Sequence, residues 1–176
     1  EAAQRYRKAL GYAKLANNQK GMGLLYNNLG SYFKDLWAET EDQADLDSAQ
    51  YYLHESLAIK TSLNDLGGSI NTLSQLSQIA RAEDDWASAE GYLNQMLEVA
   101  NGVQNQELQL TILEELVNFQ LEKGNKGQAL EHAKKAMDIA EKMDSPFHLR
   151  SASGLMARVY EELGDYRNAL TFTKKR

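Results

Sequence analysis

Residues 159–170 read Val-Tyr-Glu-Glu-Leu-Gly-Asp-Tyr-Arg-Asn-Ala-Leu, and the fold turns on them. At the centre, Leu163-Gly164-Asp165 stops one helix and starts another. Glycine adopts the left-handed conformation that closes a helix, and aspartate caps the N-terminus of the next. Forty residues before Ala169 lies Ala129, forty before that Ala89, and forty before that Ala49. The neighbouring columns agree. Asp85, Asn125 and Asp165 precede the alanines by four, and Trp86, Lys126 and Tyr166 by three. Asp84, Gly124 and Gly164 precede them by five. Leu57, Leu97 and Met137 follow by eight, and Ile59, Val99 and Ile139 by ten. Upstream, Leu76, Leu116 and Met156 form a further column. Ala2 continues the alanine series, but 47 residues before Ala49, so seven extra residues lie within Leu36–Ala44.

A period near 40 fits a propeller blade only with four short strands and dense turns. Here β-branched residues are sparse and the apolar spacing is helical: Leu73, Leu76, Ala80, then Ala89, Leu93, Met96, Leu97, Ala100. Each unit is therefore a helical hairpin. The expected helices are 2–16, 22–37, 46–62, 67–82, 86–101, 106–122, 127–143, 147–163 and 167–176. Glu83-Asp84-Asp85, Lys123-Gly124-Asn125 and Leu163-Gly164-Asp165 supply turns, and Ser145-Pro146 a helix start. A hairpin of this kind cannot bury its apolar face alone, so neighbours must stack.

The column chemistry resembles the tetratricopeptide repeat (TPR). Leu29-Gly30, Phe33, Ala49 and Leu53 carry the likeness, as do Met156-Ala157, Tyr160, Leu163-Gly164-Asp165-Tyr166 and Ala169. The usual TPR unit is shorter, about 34 residues. This chain is similar to the 40-residue variety found in Pins-type adaptors and bacterial TPR regulators, related to kinesin light chain repeats. It lacks the proline that closes each standard unit; Thr61, Asn101 and Glu141 stand there. The resemblance implies an all-α, right-handed superhelical solenoid of antiparallel helix hairpins, a single domain over 1–176. Residues 1–16 would be the second helix of a preceding unit. Repeats would span about 22–62, 67–101, 106–143 and 147–176, the last truncated, with both ends open. The chain begins at Glu1 without methionine and reads as a piece of something longer.

The composition fits a folded protein: 43% hydrophobic, 25% charged, one proline and no cysteine. Without cysteine there are no disulfides, zinc knuckles, thiol nucleophiles or Fe–S clusters. The longest uncharged stretch, 66–80, is rich in Ser, Asn and Gln and too short to span a membrane. The net charge of −6 is uneven: residues 1–34 carry +5, residues 35–122 carry −15, and residues 123–176 carry +4. Such an acidic middle attracts a basic partner segment and repels nucleic acid. The reading is of a cytoplasmic protein, although no residue fixes the compartment.

No catalytic constellation emerges. His54, His132 and His148 lack a second histidine at metal-ligand spacing and read as surface or half-buried helix residues. Gly21-Met22-Gly23 has no preceding strand and no third glycine, so it reads as a flexible helix entry rather than a nucleotide loop. Asp45 and Asp47 lack the Gly and Glu of a calcium loop. The expectation is a protein without enzymatic activity, metal or cofactor.

In TPR solenoids the first helix of each hairpin faces the concave side. The resemblance therefore implies a peptide-binding stripe of Asn27, Ser31 and Lys34; Ser74, Gln78 and Arg81; Glu114, Asn118 and Leu121; and Gly154, Arg158 and Glu161. Amides can pair with a peptide backbone, and arginine can fork onto a carboxylate. The carboxylate clamp of chaperone-tail TPRs is absent, because Thr111 and Glu115 stand in its place. The expected function is a protein–protein interaction scaffold binding a peptide or protein segment in the concave groove, with no nucleic-acid or membrane partner. The alternative is a ligand- or peptide-sensing regulatory segment of a bacterial transcription factor or signalling kinase. Oligomeric state and partner identity are not legible.

Overall fold

The computed structural model describes residues 1–173; the end of the last expected helix, 174–176, lies outside them. Within these residues the chain forms nine α-helices: α1 (Ala2–Leu15), α2 (Gln19–Thr40), α3 (Gln43–Ser62), α4 (Leu66–Ala82), α5 (Trp86–Gly102), α6 (Gln106–Glu122), α7 (Lys126–Lys142), α8 (Pro146–Glu162) and α9 (Tyr166–Thr173). The expected all-α fold class stands, with boundaries within three residues of the expected ones.

From α4 to α8 each helix is 17 residues long. Three residues join each to the next, so the true module is one helix with its joint, half the period of the alanine columns. The middle residue of every three-residue joint is left-handed: Asn17, Asn64, Asp84, Gln104 and Asp144 at φ +49, +55, +58, +53 and +48, and Gly124 and Gly164 at +76 and +75. Its N–H and that of the next residue close the preceding helix, as in Asp84 N–H to Arg81 O (3.2 Å) and Asp85 N–H to Ala80 O (2.8 Å). At most of these joints the third residue then caps the following helix through its side chain, although Asn125 and Ser145 make no such bond. Side-chain oxygens of Asp65, Asp85, Asn105 and Asp165 accept from the N–H groups of Gly68, Ser88, Leu108 and Asn168 at 3.0–3.1 Å. One short joint thus finishes one helix and begins another.

The seven extra residues lengthen the α2–α3 hairpin. α2 has 22 residues and α3 has 20, and their connection is only Glu41-Asp42. Five added residues therefore fall in α2 and three in α3, less one in the turn. Glu41 is left-handed (φ 55) and Asp42 accepts from the Ala44 N–H at 2.9 Å. Trp37 is packed against the core rather than projecting. Gly21-Met22-Gly23 is no flexible entry: it lies inside α2, whose start at Gln19 precedes the expected one by three residues. The Gly21 N–H donates to Asn18 Oδ1 at 2.9 Å, which draws the helix start forward.

The chain divides into two compact units, Glu1–Tyr92 and Leu93–Arg176. In the first, Leu10, Tyr26, Leu29, Phe33, Leu46, Ala49, Leu53, Leu76 and Ile79 form a buried cluster. Leu29 and Leu53 are fully buried, each side chain contributing about 1.5–3 kcal/mol. Gly30 sets the α2–α3 spacing: a Cβ there would lie 2.6 Å from Leu53 Cγ. In the second unit, α7 contributes a stripe of Ala129, Ala133, Ala136 and Ala140, all buried. Ile112, Leu113, Leu116, Val117 and Phe119 of α6 and Met156 and Val159 of α8 supply the bulk of that core. Among the described residues no helix is long and apolar enough to cross a membrane.

Candidate functional site

The expected stripe residues lie on four helices, two in each unit. In the first unit, the Lys34 ammonium on α2 donates to Gln78 Oε1 on α4 at 3.0 Å, so the rows of the two helices run side by side. Ser31, Ser74 and Arg81 are half-buried. Asn27 has an internal role. Its Oδ1 accepts from Lys60 Nζ (2.8 Å), Thr72 Oγ1 (2.9 Å) and Gln75 Nε2 (3.3 Å), tying α2 to α3 and α4. Lys60 also donates to Thr72 Oγ1 at 2.9 Å, and the Ser56 hydroxyl donates to the Gly23 carbonyl at 2.9 Å.

Lys60 is 7% exposed, and nothing in its immediate sequence warns of that burial. Burial lowers its pKa, opposed by the nearby Asp65 carboxylate. The available signal was the repeat column, in which Lys60 stands where later units carry the buried alanines Ala100 and Ala140.

In the second unit, the Arg158 guanidinium on α8 donates to Asn118 Oδ1 on α6, again joining the two rows. Glu114 and Arg158 are exposed, while Asn118, Leu121 and Gly154 are half-buried. Two depressions open along this face. One, of about 470 Å³, is lined by Glu107, Leu110, Glu114, Phe147, His148 and Leu155 among others. The other, of about 400 Å³, is lined by Glu114, Ser151, Gly154, Arg158, Glu161 and Thr173 among others. Glu114, Ser151 and Leu155 line both, so the two form one trough along α8. Phe147 is 76% exposed at its edge. His148 Nδ1 is buried without a hydrogen-bond partner. Of the stripe expected from sequence, Glu114, Gly154, Arg158 and Glu161 meet here. Glu107 and Phe147 escape sequence reasoning, because they lie about two turns before the stripe and carry no motif. No group of three or more His, Cys, Asp or Glu suited to a metal ion occurs among the described residues.

Solved structures share this fold. BtubC (BKLC) from P. vanneervenii is similar over 97% of this chain and 68% of its own, with TM-score 0.73 and 18% identity. A Signal Transduction ATPase with Numerous Domains (STAND) protein with a tetratricopeptide repeat sensor, from Pyrococcus horikoshii, matches over 98% of this chain at TM-score 0.72 and 19% identity. The chain has a TPR-like fold. The kinesin light chain-like, nearly identical TPR-like repeats of Podosopora anserina match over 99% of this chain and 94% of theirs, with TM-score 0.52 and 16% identity. This TPR-like chain spans about a quarter (26%) of the STAND protein's length. No family model and no curated protein matches the sequence.

Proposed function

We propose that this TPR-like chain is a protein-interaction module without enzymatic activity, working in the cytoplasm, and that the trough of the second unit receives a partner segment bearing basic residues. The trough itself carries the reading. Glu107, Glu114 and Glu161 line it together with Arg158, over an apolar floor that includes Leu110 and Leu155. Carboxylates placed beside buried apolar surface favour a segment that alternates basic and apolar side chains. Arg158 and Asn118 remain able to pair with the segment's backbone or a carboxylate. The test is to capture partner proteins on the immobilised chain, identify the bound segment, and titrate it calorimetrically. Glu114→Lys should weaken it by at least about tenfold, since a like charge replaces an attractive one. Equal binding by parent, Glu114→Lys and Arg158→Ala would overturn the assignment. Loss of binding on Tyr92→Ala in a folded chain would place the segment on the second-helix face instead. A sensor segment of a larger regulator is the second reading, supported by the likeness to a TPR sensor protein of which this chain spans only a part.

A further inference from the structure

Helices α3 and α4 differ from their later counterparts in a small set of interior positions. Lys60 corresponds to Ala100 and Ala140, Thr72 to Ile112 and Ala152, and Ser56 to Met96 and Ala136. All six later residues are buried and apolar. The fold therefore does not require polar groups at these places, and burying an ammonium among them costs stability. Of the three, Lys60 lines a cavity of about 510 Å³ within the first unit, together with Asn18, Leu24, Asn27, Leu63 and Asn71, with Lys20 and Asp65 also on its wall. That volume is in the range of small-molecule sites.

The polar groups around Lys60 leave donors over. An ammonium has three N–H groups, and Lys60 directs two at the neutral oxygens of Asn27 and Thr72. Lys60 Nζ and Gln75 Nε2 donate to Asn27 Oδ1, and the Thr72 hydroxyl shares its one hydrogen between that oxygen and the Gly68 carbonyl, which fixes the amide so that its NH₂ group stays available. Asp65, the carboxylate on the wall, is engaged as the α4 cap through the Gly68 N–H. Leu24 and Leu63 are 58% and 45% exposed. A positive donor cluster with exposed leucines beside it selects a ligand with an anionic head and an apolar tail. One buried cation, with Asp65 close by, matches a single negative charge better than a phosphate's two.

We infer that the first unit holds a binding site for a small monocarboxylic acid, with the carboxylate on Lys60 and Asn27 and the apolar tail against Leu24 and Leu63. The probe is hexanoate, added to the ¹⁵N-labelled full chain. The amide signals of Gly21, Gly23 and Gly68 should shift and saturate. Acetate, which lacks the tail, and hexylamine, which reverses the charge, should bind at least about tenfold more weakly. Lys60→Met should lose binding by a similar factor. Leu24→Asp, an exposed change that leaves the core intact, should do the same and guards against an effect of misfolding. Hexylamine or hexanol binding as well as hexanoate would overturn the site, as would unchanged binding in folded Lys60→Met. An acetylated, amidated Leu-Glu dipeptide binding more tightly than hexanoate would overturn the small acid in favour of an acidic peptide.

Discussion

Gln104 holds φ +53 in the same joint where Gly124 and Gly164 hold φ near +75. A side chain in this region costs about 1–2 kcal/mol, because Cβ crowds the backbone carbonyl, and Asn and Asp tolerate it better than Gln does. Gln104→Gly should therefore raise stability by about 0.5–1 kcal/mol, after the greater freedom of glycine in the unfolded chain is deducted. Thermal melts followed by circular dichroism measure it. Joints spelled Gly124-Asn125 and Gly164-Asp165 were legible in the sequence because their residues state their conformations. Gln104-Asn105 was not, since glutamine carries no turn signal and only the backbone reveals the left-handed step. Lys60 was illegible for a related reason: a lone lysine reads as solvated surface. Its folded pKa lies below its unfolded one, so between those two values the unfolded chain binds the extra proton and stability rises with pH. Lys60→Met should be as stable as the parent or more so at pH 7, with the difference shrinking as the pH climbs toward the ordinary lysine value. Paired urea titrations across pH 7–10 follow it.

Among the elements, α7 shows how small residues position larger neighbours. Ala129, Ala133, Ala136 and Ala140 are 0–2% exposed and follow steps of four, three and four. Their shortness lets α6 pack close against the helix. Ala129→Leu should overpack this contact and cost about 1–3 kcal/mol, read as a lowered denaturation midpoint. Helix number, order and pairing were legible because alanine and leucine columns recur at one fixed period. The fate of the seven extra residues was not. Longer helices and a projecting acidic loop were both compatible with Trp37-Ala38-Glu39-Thr40-Glu41-Asp42. The structure lengthens the helices because Trp37 gains a place on the core, and Thr40 Oγ1 hydrogen-bonds the Leu36 carbonyl at 3.0 Å, continuing the helix. The stripe was legible as rows, since Lys34–Gln78 and Asn118–Arg158 join neighbouring helices. Its partial conversion into an internal network at Asn27 was not, because that depends on residues of α3 and α4 distant in sequence.

At the scale of the whole molecule, charge is the partner's first encounter. Residues 35–122 carry −15, and Glu107 and Glu114 of the trough belong to that segment. Association with a basic segment should slow as salt rises from about 50 to 500 mM, because exposed charges are screened over about 8–10 Å at ordinary ionic strength. Stopped-flow mixing should show the on-rate falling while the off-rate holds nearly constant; an on-rate indifferent to salt would mean apolar contacts alone drive encounter. The repeated 17-plus-3 spacing makes the chain a set of interchangeable cassettes. Excising residues 65–104 would splice Asn64 to Asn105, again a left-handed residue followed by a capping one, so the seam would be chemically equivalent to those around it. Excising only 65–84 would leave an equally good seam, yet it would exchange every later first helix for a second one and turn the polar rows toward the core. Whole pairs are thus the unit in which this chain can be shortened or grafted, although single helices are the unit in which it is jointed.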